Sequence, residues 1–400
     1  MTHLTTYLPA HAQRLDRLPP YKFAVIGQRI QELTASGHDI IRLDIGSPDF
    51  PPSDTVIQAL QKSAENPSWQ SYGSYRGDSG FRKAVAGYYQ NHFGVTLDSF
   101  HEVIPLIGSK EGLINMTLAY IDQGDGAIVP DIGYPAYSMG VLMAGGTVIY
   151  THLDAENHYL IDFDALERTL MTTDVTPKLL WVNYPNNPTG ATADRAFFEQ
   201  AVAFCMKHHL LLCSDNPYNE IVFDGYVAPS VLQIPGAKDC AVEFFSVSKT
   251  YNMAGMRLGA CVGNAEALDQ LITIKSNIDT GHYKPIYDAG TTAITTTTPE
   301  WIAARNKHYE RRRDMLLQAL PEIGLEADLK PAATLYVWAR VLEGDEDLYC
   351  EDALNHADVA MAPGTVYGPG GKGFVRLSVT VKDDQIATGL DRLRKWYKNR

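Results

Sequence analysis

The chain has 400 residues, 45% of them hydrophobic, enough for a large domain beside a smaller one. Its formal net charge of −13 argues against a nucleic-acid partner, which wants a basic face, and no basic cluster abuts an apolar helix as membrane-surface binding requires. No uninterrupted apolar run approaches the roughly 20 residues of a membrane span.

In chain order, Met1-Thr2-His3-Leu4-Thr5-Thr6-Tyr7 has no basic region followed by an apolar core, so no signal peptide is expected. Leu18-Pro19-Pro20-Tyr21 reads as extended, because proline restricts itself and its predecessor. Helical periodicity runs from about Phe23 to Thr34 and stops near Gly37. Ile40 to Ile45 alternates like a strand and ends in a loop, Gly46 to Pro52, where Gly46 lets a ligand approach the backbone. The run Tyr72-Gly73-Ser74-Tyr75-Arg76-Gly77-Asp78 is too polar and Gly-rich for a core, and a helix follows to Phe93.

Val103 to Leu106 reads as a strand that turns at Gly108 into a helix beginning Ser109-Lys110-Glu111. Free backbone N–H groups at such a start suit a phosphate. Further strands are expected at 126–130, 147–150, 178–182 and 210–215, with a helix at 193–208. The 126–130 strand leads into Asp131-Ile132-Gly133-Tyr134-Pro135, and the 178–182 strand into Asn183-Tyr184-Pro185-Asn186-Asn187-Pro188. Short apolar strands alternating with helices predict a parallel sheet covered on both faces, with ligands bound at the strands' carboxyl ends. Ser109, Tyr134, Asn187, Asp215 and Lys249 all fall near such ends and are expected to converge.

Lys249 stands between two buried strand-like runs, Ala241 to Phe245 and Leu258 to Gly263. Desolvation there makes its amine a nucleophile. Ser246, Ser248 and Arg257, eight positions beyond the lysine, suit a phosphate dianion. A reactive lysine beside a phosphate cradle is what pyridoxal 5'-phosphate (PLP) needs. Such an enzyme also needs an aspartate at the pyridine nitrogen, a donor to the ring's phenolate and an aromatic ring on its face. Asp215, Asn187 with Tyr218, and Tyr134 are placed to fill those roles, with Lys249, Asp215 and Tyr218 as the catalytic set.

Beyond Lys249, a helix at 266–275 leads into Ser276-Asn277-Ile278-Asp279-Thr280-Gly281, and a long helix covers about Pro299 to Leu320. Its Arg305, Arg311, Arg312 and Arg313 are expected on a charged solvent face. From Gly324 the texture becomes α+β. Five scattered cysteines, with no CxxC pair, read as buried thiols of a reducing cytoplasm. Twelve histidines include no HExxH, and no metal site is expected.

Over essentially its whole length the sequence resembles the fold type I PLP-dependent aminotransferases of class I/II. The match is carried by Pro185-Asn186-Asn187-Pro188-Thr189-Gly190, Asp215-Asn216-Pro217-Tyr218 and Ser246-Val247-Ser248-Lys249 with Arg257. The resemblance implies an α/β fold with a mostly parallel seven-stranded sheet, plus a smaller α+β domain made of the C-terminal part and the N-terminal arm. The corresponding divisions are 1–45, 46–290 and 291–400. It also implies a homodimer with shared sites, in which Arg376 binds the substrate α-carboxylate and Tyr72 reaches the neighbouring subunit's phosphate. Within the family the sequence is most similar to LL-diaminopimelate aminotransferase and its relatives, through Leu18-Pro19-Pro20-Tyr21, Ile107 to Gly112, Asp131 to Pro135 and Ser276 to Gly281. That likeness implies that Tyr21, Gly46, Lys110 and Asn277 line the pocket. The substrates implied are an L-amino acid and a 2-oxo acid, 2-oxoglutarate being one.

Three departures stand out. Tyr75-Arg76 replaces a position often acidic in relatives, and an arginine there would repel a distal ammonium unless Asp78 compensates or Arg76 points away. Asp215-Asn216-Pro217-Tyr218 and Asp131-Ile132-Gly133-Tyr134 change only the rim. Aspartate, aromatic or other amino acids remain alternative donors, and elimination, decarboxylation or oxidation would use the same parts. A PLP-binding DNA regulator would bring a basic patch, and none is evident.

Overall fold

A computed structural model describes residues 9–400, so the signal-peptide expectation for Met1 to Tyr7 lies outside the described residues. The central sheet has seven strands: β1 (Val103–Leu106), β2 (Asp125–Pro130), β3 (Thr147–Thr151), β4 (Thr176–Val182), β5 (Leu211–Asp215), β6 (Ala241–Ser246) and β7 (Gly259–Gly263). They lie in the order β1-β7-β6-β5-β4-β2-β3. Only β7 runs against its neighbours, β1 and β6; the other pairs are parallel. Alternation along β4 feeds two cores: Leu180 and Val182 join one face, Leu179 and Trp181 the other. Both faces are covered, which is why these strands read as continuous apolar runs. The mostly parallel seven-stranded sheet agrees with the expectation.

A second, antiparallel sheet orders Ala362–Pro363, Phe374–Ser378, Tyr336–Val341 and Leu325–Glu326. The helix Asp383–Lys398 lays Ile386, Leu390 and Leu393 into the same core, at helical spacing. The first helix, Lys22–Ala35, packs Ile30 and Leu33 on Leu354 and Ala360. The strand expected over Ile40 to Ile45 shrinks to Ile41–Arg42, which pairs in parallel with Val359–Ala360. The residues after it, Asp44 to Gly46, leave the ladder and line a cavity instead.

One helix lacked a clear sequence signal. Lys284–Thr296 is threonine-rich, and β-branched residues favour helix weakly. Packing decides it: Tyr287, Ala289, Gly290 and Ala293 are buried, and the helix lies against Asp54–Ala64 and Ser79–Phe93.

The long helix, Pro299–Ala319, corrects another expectation. Arg305, Arg312 and Arg313 are buried and not solvent-facing; Arg311 alone stays outside, on Asp383. Each buried cation has found acceptors. Arg312 donates to both oxygens of Asp49 at 3.0 Å and to Asp383 at 2.6 Å. Arg313 donates to Asp224 at 2.6 Å and to the Pro331 carbonyl at 2.7 Å. Among the described residues, no helix is long and apolar enough to cross a membrane.

Candidate active site

A cavity of about 370 Å³ opens where β4, β5 and β6 end. The structure brings Ser109, Tyr134, Asn187, Asp215 and Lys249 around it, together with Tyr21, Gly46 and Arg376.

Asp215 is the last residue of β5 and is buried. Its Oδ2 accepts from the Tyr137 hydroxyl at 2.7 Å, while its buried Oδ1 has no hydrogen-bond partner among the described residues. Burial pushes the carboxyl up to about 7, and the Tyr137 bond only partly opposes this. Asn183 Nδ2 donates to the Asp215 carbonyl at 2.7 Å and fixes the strand end.

Lys249 sits in the short helix Val247–Thr250 directly after β6. Burial lowers its amine to about 7, with the charges of Arg376 and Arg257 adding to the effect. Nζ donates to the Gly46 carbonyl, so the loop after the first short strand meets the lysine. Gly46 is required there, because a Cβ would overlap the Tyr336 ring.

The helix Ser109–Tyr120 begins at Gly108, which has φ +72° and offers no side-chain cap. A Cβ at Gly108 would strike the Arg257 guanidinium. Uncapped N–H groups, Ser109, Ser246, Ser248 and Arg257 thus meet at one end of the cavity, a donor set suited to an oxyanion. Ser246 Oγ already accepts from the Ser248 backbone at 3.2 Å, which orders that turn. His282 Nε2 lies 2.6 Å from the Arg257 carbonyl and steadies the arginine's left-handed turn, φ 53°.

Arg376, on the strand Phe374–Ser378, marks the opposite end and is buried. It donates to Asn187 Oδ1 at 2.9 Å and to the Asp44 carbonyl at 2.6 Å, and its centre lies 4.0 Å from the Tyr336 ring. Its buried Nε has no partner among the described residues. Tyr218 shares a 2.8 Å hydroxyl contact with Tyr336. At the mouth, Lys110 Nζ donates to the Tyr21 hydroxyl at 3.3 Å and lies 4.6 Å from that ring.

Two expected residues stand outside this chain's cavity. Asn277 is exposed and donates to the Thr273 carbonyl at 2.8 Å, finishing its own helix, so its expected place in the pocket is not met within one chain. Tyr72 is 90% exposed, on a different face. Arg76 is turned aside: it pairs with Asp269 at 2.9 Å, donates to the Phe100 carbonyl at 3.0 Å and lies over the Phe100 ring. Asp78 caps the next helix through the Phe81 N–H at 2.9 Å.

Sequence reasoning missed Tyr137, Asn183 and Tyr336. The first two carried a signal, three residues past Tyr134 and four before Asn187, in loops already singled out. Tyr336 opens the strand Tyr336–Val341 within an apolar run and carried none.

The profile of the family described as aminotransferase class I and II matches residues 38–393. An LL-diaminopimelate aminotransferase of Moorella thermoacetica is 43% identical over 385 residues, 96% of this chain and 97% of that protein. One from Dehalococcoides mccartyi is 42% identical over 383 residues, with 96% and 97% covered. Among solved structures, substrate-bound BacF from Bacillus subtilis superposes with a TM-score of 0.90 at 32% identity, covering 97% of this chain and 98% of that one. A sheet of this order, a buried lysine with a lowered pKa at its end and likeness along nearly the whole chain have one common account: the chain belongs to the class I and II aminotransferases and is an enzyme that transfers amino groups.

Proposed function

We propose that this aminotransferase uses pyridoxal 5'-phosphate held at Lys249 to move an amino group from LL-diaminopimelate to a 2-oxo acid, 2-oxoglutarate being the natural acceptor. The observation that carries the cofactor is Asp215 Oδ1, a buried carboxylate oxygen without a partner among the described residues. A carboxylate left so must be paired or protonated, and a protonated pyridine nitrogen pairs it. The uncapped helix start with Ser109, Ser246, Ser248 and Arg257 fits the phosphate, and Tyr134 fits the ring face. Bound there, the cofactor supplies an electron sink for the bond broken at the substrate Cα.

The chain's own residues do the rest. Asp215 would hold a proton at the ring nitrogen, and Asn187 and Tyr218 would orient the ring's phenolate edge. Arg376 takes the α-carboxylate with a guanidinium already fixed by Asn187 and Asp44, so little ordering remains to be done on binding. Lys249, with its amine lowered to about 7, would hold and move a proton at the substrate Cα. Gly46, Lys110 and Tyr21 line the substrate end.

Two relatives named LL-diaminopimelate aminotransferase support the donor. So does Arg76, whose charge is spent on Asp269 and so does not oppose a distal ammonium. We further propose a cytoplasmic homodimer in which Tyr72 and Asn277 complete the neighbouring subunit's site, and a chain divided at about residues 45 and 290. The test is a half-reaction: purified yellow protein is mixed with single amino acids and its visible absorbance followed. LL-diaminopimelate should bleach it and 2-oxoglutarate restore it. Bleaching only by glutamate, aspartate or aromatic amino acids removes the diaminopimelate assignment.

A further inference from the structure

Arg305 leaves the helix Pro299–Ala319 with 4% of its surface exposed. Among the described residues no carboxylate forms an ion pair with it. Backbone carbonyls hold it instead. Nη1 donates to the Lys249 carbonyl at 3.1 Å and to the Thr250 carbonyl; Nη2 donates to the Glu220 carbonyl at 2.7 Å. Asn306 extends the grip, accepting from Arg305 Nη2 at 2.8 Å and donating to the carbonyls of Glu220 at 2.9 Å and Val222 at 3.1 Å. One guanidinium therefore ties the peptide of the reactive lysine to the segment two residues past Tyr218.

Burying a cation is costly, and an apolar residue of similar volume is often as stabilising. A rigid planar fork, however, holds several carbonyls at fixed separations as no apolar side chain can. A lysine amine hangs on four flexible bonds, so its reach depends on how well its backbone is fixed. Misplacement of a reacting group by about 1 Å costs on the order of a hundredfold in rate.

We propose that Arg305 is a positioning residue that holds the Lys249 backbone at a fixed distance from Tyr218 and so aims the lysine amine at the reacting carbon. The proposal rests on the reading that Lys249 carries the cofactor.

Arg305→Met, Arg305→Lys and Arg313→Met are compared, each loaded with pyridoxal 5'-phosphate. Arg313 is the control: equally buried on the same helix, it binds Asp224 and the Pro331 carbonyl, away from the cavity. Three readouts are taken: melting temperature without cofactor, the visible circular-dichroism band of the bound cofactor, and kcat against KM. Arg305→Met should lower kcat at least about tenfold and weaken the dichroism band, with KM within about threefold. Arg305→Lys should recover part of both. Arg313→Met should lower the melting temperature and leave kcat and the band as in the parent. Unchanged kcat and dichroism in Arg305→Met overturn the proposal, as does an equal loss of both in Arg313→Met. If Arg305→Met does not fold, Arg305→Lys decides: parent-like kcat and band overturn the proposal, and a reduced kcat at parent-like melting temperature sustains it. Turnover in Lys249→Ala would sink the cofactor reading itself, whereas a normal Arg305→Met beside a dead Lys249→Ala removes only the positioning role.

Discussion

Asparagine in place of Asp215 keeps the side chain's size and its acceptor for the Tyr137 hydroxyl, but removes the charge. Without cofactor, burial raises this carboxyl from 3.8 to about 7. A rise of about three pH units corresponds to a folding penalty of about 4 kcal/mol at most. The penalty has a definite pH dependence. Below about pH 4, folded and unfolded chains both hold the proton and nothing is lost. Between about pH 4 and 7 the unfolded chain releases its proton while the folded chain keeps it, so stability falls as pH rises. Above 7 the full penalty persists. Asp215→Asn removes it, so the cofactor-free variant should melt several degrees above its parent at pH 8 and nearly level with it at pH 4.5. Lys249 titrates in both proteins and cancels from the difference. Scanning calorimetry of the two cofactor-free proteins measures this directly. The same variant should bind pyridoxal 5'-phosphate weakly and turn over poorly. A destabilised variant at pH 8, or one with parental turnover, would refute the reasoning: Asp215 would then carry no charge kept for a cationic ring.

Three further outcomes follow from the site's geometry. Arg376→Ala loses a fixed, charge-assisted clamp, so KM for the amino acid and the 2-oxo acid should both rise about tenfold to a hundredfold, read by steady-state kinetics. Arg76→Ala should change kcat/KM for LL-diaminopimelate less than about fivefold, because the arginine is already spent on Asp269; a larger gain would mean that its charge does reach the substrate. Gly46→Ala forces a methyl into Tyr336, whose hydroxyl meets Tyr218, so kcat should fall even where the melting temperature holds.

The strands of the central sheet were legible because they are short and mostly apolar, and most are followed by a glycine, asparagine or proline turn. The residues around the cavity were legible for a related reason: a parallel sheet sends every strand's carboxyl end to one edge, so position along the chain nearly determines position in space. Three things were not legible. The helix Lys284–Thr296 is held by its neighbours against weak local preference, and no local pattern reports a neighbour. The buried arginines of Pro299–Ala319 look like any solvated charged face until Asp49, Asp224 and the Lys249 carbonyl arrive from distant parts of the chain. Asn277 and Tyr72 read as site residues, yet a single chain leaves them outside its own cavity.

The antiparallel strand β7 has a consequence for how the chain is made. β1 sits at the sheet's edge and, among the described residues, pairs only with β7, register Val103 to Val262 through Leu106 to Gly259. More than a hundred residues separate them. At about 5–20 residues per second of synthesis, β1 waits on the order of ten seconds for its partner. During that interval its backbone groups and the Ser109–Tyr120 helix behind it have no finished sheet to join. A nascent chain halted just after Lys249 would hold every strand of the central sheet but β7, and its unpaired β1 would be open to pairing with another chain. Late closure therefore makes translational pausing near residue 250 a point of vulnerability to aggregation.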